Sequence, residues 1–107
     1  MTNGEERRHA FDPQFARDEE MAFRITARRN RLLGQWAAGL MALTPEEADA
    51  YCKAVVQADF EETGDEDVIR KVMGDLTAAD VDIDAAAVRR ALDERSIEAR
   101  RQLMESR

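Results

Sequence analysis

The stretch Thr44-Pro45-Glu46-Glu47 constrains the fold more than any other. A threonine N-cap accepts from an orphan N–H of the first turn, and the fixed φ of proline suits the first helical position. A glutamate three residues after the threonine bonds back to it and closes a capping box. These four residues end whatever precedes them and start a helix at Pro45. Asp12-Pro13 is a second start signal of the same kind. Between the two, Ile25, Leu32, Leu33, Trp36, Leu40 and Leu43 recur at helical period, which predicts one long helix from Pro13 to about Leu43. Arg24, Arg28, Arg29 and Arg31 sit beside that stripe.

The helix after Thr44 carries Ala48, Tyr51, Cys52, Val55, Val56 and Phe60 on one side, and Gly64 is placed to end it. Asp65 then caps a third, shorter helix whose buried face is Val68, Ile69, Val72, Met73 and Leu76. A loop is expected at about 77–82. Asp84 or Asp82 caps a fourth helix carrying Val88, Leu92, Ala99 and Leu103. Short turns make consecutive helices antiparallel neighbours. The expected fold is all-α, a four-helix protein with one long N-terminal helix. Residues 1–17 stand apart as a disordered segment, and residues 18–107 form the four-helix domain. Met1–His9 carries too little apolar surface to offset the cost of ordering it.

With 107 residues the chain has room for one modest core. Its net charge of −7 argues against a nucleic-acid partner and against docking on an anionic membrane. The charge is unevenly placed: residues 1–43 are near-neutral at +1, and residues 44–107 carry −8. The apolar runs are too short to span a bilayer, and the first residues lack the apolar stretch of a signal peptide. A single cysteine, Cys52, makes no internal disulfide. The chain is therefore expected to be soluble and cytoplasmic, without membrane insertion.

Catalytic chemistry is not legible. The one histidine, His9, reads as solvated, because a catalytic imidazole needs a rigid orienting partner. Cys52 reads as a small buried hydrophobe. No Cys/His spacing suits zinc, and no glycine loop suits phosphate. Asp80-Val81-Asp82-Ile83-Asp84 resembles the opening of a calcium loop, but Ala85 and Ala91 stand where its glycine and glutamate belong. The acids from Asp59 to Asp67 read as a solvated turn, and Trp36 with Leu32, Leu33 and Leu40 as core. Arg28-Arg29-Asn30-Arg31 reads as a helix face pairing with acidic turns, or as a phosphate site. Phe11 and Phe15 lie at i, i+4 spacing with no evident core partner. Either they staple the start of the long helix, or they anchor a segment that folds into a partner's groove.

Two strings are distinctive in order and spacing: Ala27-Arg28-Arg29-Asn30-Arg31-Leu32-Leu33-Gly34-Gln35-Trp36-Ala37-Ala38, and the run from Val55 through Asp59-Phe60-Glu61-Glu62-Thr63-Gly64-Asp65 to Val72. With Ala10-Phe11, Phe15-Ala16 and Asp18-Glu19-Glu20, they resemble the zeta subunit of alpha-proteobacterial F-type ATP synthases. The resemblance implies an inhibitor of ATP hydrolysis rather than an enzyme, peripheral on the membrane-bound synthase. It implies an N-terminal segment that becomes helical inside the catalytic head, among the alpha, beta and gamma subunits, and leaves synthesis largely free. Carried onto this chain, the inhibitory contacts lie among Glu5, Glu6, Arg7, Arg8, Phe11, Phe15, Ala16 and Asp18. The family also implies weak binding of ATP or ADP, for which Arg28, Arg29 and Arg31 are the candidate phosphate partners. No cofactor is required. The chain departs from the family pattern at Asp12-Pro13. There the inhibitory helix either begins at Pro13, with Phe11 leading in, or kinks.

Overall fold

The computed structural model describes residues 13–61 and 65–105, with side-chain surroundings given for 17–59 and 65–105. These residues form helices α1 (Pro13–Leu40), α2 (Pro45–Glu61), α3 (Asp65–Ala78) and α4 (Ala85–Glu105), with no strand among them. The expected four-helix, all-α architecture is what the chain adopts. His9 and Gly64 fall outside the described residues, as does the side chain of Phe60.

The helix starts obey the chemistry read from the sequence. Glu47 N–H donates to Thr44 Oγ1 at 3.2 Å, and Thr44 N–H donates to Glu47 Oε1 at 2.8 Å, a reciprocal capping box. Pro13 and Pro45 are the first residues of their helices. Ala87 N–H donates to Asp84 Oδ1 at 2.9 Å, so Asp84 rather than Asp82 caps α4. Asp65 opens α3 as its first helical residue.

The ends of α1 and α3 are less legible, because neither uses glycine. After α1, Leu43 N–H bonds Ala38 O and Ala42 N–H bonds Gly39 O, with Ala42 at φ 57°. After α3, Val81 N–H bonds Leu76 O and Asp80 N–H bonds Thr77 O, with Asp80 at φ 61°. Both are Schellman closures built on a residue with a β-carbon. Val81 then packs against the core, which supplies the apolar contact such a closure favours.

α1 is central: α2 and α4 flank it, and α3 packs on the remaining side against all three. The core joins Leu33 and Ala37 of α1, Val55 of α2, Val68, Ile69, Val72 and Leu76 of α3, and Val88, Ala91 and Leu92 of α4. Cys52 is buried as expected, and its thiol is pushed above its ordinary pKa chiefly by that burial. Gly34 lets α1 and α2 approach closely at Cys52. The expected α1 stripe is only partly core. Ile25 and Leu33 are buried, Leu32, Trp36 and Leu43 are half-buried, and Leu40 is exposed. Leu40 is the last residue of α1.

Candidate functional site

Two features of α1 are candidates for function: its exposed N-terminal run and a groove on its flank. The first buried core residue of the described chain is Ile25. Before it, Arg17–Glu20 and Ala22–Arg24 are exposed and Met21 is half-buried. Gln102, near the end of α4, accepts from Arg28 Nη1 at 2.8 Å, so α4 ends roughly level with the start of the buried stripe. α1 thus extends past its neighbours as an arm. From Pro13 to Phe23 the arm spans about 15 Å.

Of the proposed inhibitory residues, Asp18 lies on this arm and is exposed. Phe15 and Ala16 belong to α1, but their side chains are not among those described. Glu5, Glu6, Arg7, Arg8 and Phe11 lie outside the described residues. α1 runs unbroken from Pro13 through residues 17 and 18, so the four-helix domain and the last part of the segment share one helix.

α2 and α4 stand apart on either side of α1 and leave part of its surface uncovered. Arg24, Arg28 and Arg31 line a groove of about 420 Å³ there, with Phe23, Val56 and Leu103 as its apolar walls. Each arginine already has a partner. Arg24 Nη2 meets Glu20 Oε1 at 2.5 Å, and Arg31 Nη2 meets Asp49 Oδ1 at 3.2 Å. Asp49 also takes Lys53 Nζ at 3.1 Å. Hydrogen bonds from Lys53 and then Arg31 hold its carboxyl below the usual range. Such exposed pairs are weak and exchange readily with an incoming anion.

The structure separates the arginines that the sequence grouped. Arg29 does not reach the groove. It is buried on another face of α1, where Nη1 donates to Asp65 Oδ1 at 3.0 Å and Nε donates to Asn30 Oδ1 at 3.0 Å. Its Nη2 lies 4.0 Å from Asp59 Oδ1. The end of α2 and the start of α3 are thereby tied to α1 from inside. Part of the acidic cluster read as solvated is engaged with this guanidinium. The signal is present in the sequence: Arg29 lies four residues after Ile25 and four before Leu33, on the core face. Arg24, which the phosphate reading missed, precedes Arg28 and Arg31 at i, i+4, i+7 spacing.

A second groove, about 510 Å³, lies between α1 and α4 beside Leu32, Trp36, Glu94, Arg95 and Glu98. Glu98 is held by Arg101 and Gln102, which keep its carboxyl below the usual range. Among the described residues no three metal-ligating side chains converge, and no helix is long and apolar enough to cross a membrane.

The described residues thus form an all-helical bundle whose first helix extends from one end, with exposed, weakly paired guanidiniums at its base. A family model described as ATPase inhibitor subunit zeta matches residues 1–102, and the chain belongs to that family. It is accordingly a regulatory subunit rather than an enzyme, and its partner is the F-type ATP synthase. The fold is similar to that of a protein solved by solution NMR, with a TM-score of 0.72 and 44% sequence identity, over 81% of this chain and 99% of that one. No curated protein matches the chain.

Proposed function

We propose that this ATPase inhibitor acts by inserting its N-terminal segment, residues 1–17, into the catalytic head of the F-type ATP synthase, among the alpha, beta and gamma subunits. The observation that carries this reading is the arm: α1 is exposed from Arg17 to Glu20, and among the described side chains none before Ile25 is in the core. An apolar pair spaced i, i+4 in the sequence, Phe11 with Phe15, suits a groove between subunits. The Glu5-Glu6-Arg7-Arg8 run ahead of it offers both signs of charge to the walls. The wedge opposes hydrolysis and leaves synthesis largely free, and the protein works at the cytoplasmic face of the membrane-bound enzyme. Alanine at both Phe11 and Phe15 is expected to raise the half-inhibitory concentration for ATP hydrolysis by at least tenfold. An unchanged inhibition curve contradicts the wedge.

A second reading rests on the groove. Arg24, Arg28 and Arg31 beside Phe23 and Leu103 combine phosphate donors with an apolar wall, which suits weak binding of ATP or ADP. Arg29 leaves the proposed phosphate set, because its guanidinium is committed to Asp65. Amide shifts at these residues during an ATP titration test this reading. No saturable shift at millimolar ATP refutes it.

A further inference from the structure

We infer that the groove at the base of the arm is a second docking surface, which seats on the ATP synthase where the inhibitory segment enters. This rests on the insertion proposed above and names the part of the four-helix domain that contacts the same partner. Phe23 is 56% exposed, although it is the largest apolar side chain of the described arm. It shares the groove with half-buried Val56 and Leu103, so the apolar walls come from three helices. Arg24, Arg28 and Arg31 lie between those walls, in a chain whose residues 44–107 carry −8.

The groove is thus a basic and apolar patch on a domain that is otherwise acidic. Its position decides the occupant. Phe23 lies about 15 Å from Pro13 on the same continuous helix, so a partner that takes in the arm has its rim within reach of the groove. The complementary surface is an apolar side chain flanked by carboxylates, which would displace Glu20 and Asp49 from Arg24 and Arg31. Aromatic and arginine anchors are the side chains that dominate such interfaces.

The test uses the full chain and the purified cognate F-type ATPase. In the double variant Phe23→Gln, Arg24→Gln, the half-inhibitory concentration is expected to rise about tenfold, with the same residual hydrolysis at saturation and an unchanged helical circular dichroism spectrum. Leu40→Gln, at a comparably exposed leucine about 25 Å further along α1, is expected to leave the curve where it was. A photo-crosslinking phenylalanine at position 23 is expected to couple to the ATPase in the inhibited complex. If wild-type protein inhibits and the double variant gives the same curve, the docking surface is refuted while insertion stands. The docking surface is equally refuted if the double variant loses only ATP-induced shifts. If wild-type protein does not inhibit at all, insertion and docking both fall.

Discussion

Arg29 reaches from the buried face of α1 to Asp65 at the first residue of α3, with 3.0 Å between Nη1 and Oδ1. The arginine side chain is 10% exposed and the aspartate 57%, so one charge is desolvated and the other is not. Replacing Arg29 by methionine keeps most of the apolar stem but releases the start of α3 at Asp65. The expected loss is about 1–3 kcal/mol, read from urea unfolding. Asp65→Asn in the Arg29→Met background should then add little, and full additivity of the two losses would rule out the coupling.

Gly34 and Cys52 give a second, opposite-signed pair of expectations. A β-carbon on Gly34 would lie 2.9 Å from Cys52 Cα, which is backbone and cannot step aside. Gly34→Ala should destabilise by about 1 kcal/mol or more, despite the better helix propensity of alanine. Gly74 in α3 has nothing within 4 Å of the same position. Gly74→Ala should therefore stabilise by about 0.5–1 kcal/mol. Thermal melts of the two variants should shift in opposite directions.

Tyr51 links α2 to α3 through a 2.9 Å hydrogen bond to Asp75 Oδ2, which also takes Lys71 Nζ at 3.2 Å. Burial first, then the bond to Asp75, raises the phenol well above its ordinary pKa of 10.0. The folded state therefore holds this proton more tightly than the unfolded chain. Its contribution is fully present below pH 10 and is lost as pH rises beyond it. Tyr51→Phe should cost about 1 kcal/mol at pH 7 and should flatten the decline in stability above pH 10. An equally steep alkaline decline in the variant would contradict this.

Start signals and core faces are legible in the sequence because they depend on local chemistry. Thr44 with Glu47 and the Val68–Leu76 stripe are read from spacing alone, and the cap of α4 is narrowed to Asp84 or Asp82, of which the structure selects Asp84. The helix ends at Ala42 and Asp80 are hidden, because a left-handed residue is announced in sequence by glycine and neither position has one. Glycine at either should stabilise by about 0.5–1 kcal/mol, measured as a rise in melting temperature. In the candidate site, the arginine run is visible but its division is not. Consecutive helical residues point about 100° apart, so Arg28 and Arg29 are bound for different neighbours. Which neighbour holds a carboxylate at the right height depends on how α2 and α3 pack, and that lies outside any local window.

In the proposed mechanism, residues 1–17 carry the inhibition and the helices after them carry the fold. Every buried core side chain among the described residues lies at Ile25 or beyond, so a chain lacking residues 1–17 keeps every described core side chain. The direct measurement is steady-state ATP hydrolysis by the purified cognate F-type ATPase, titrated with the full chain and with the chain lacking residues 1–17. The expected result is strong inhibition by the full chain and none by the truncated one, with matching helical spectra for both. Equal inhibition by the two would contradict the mechanism.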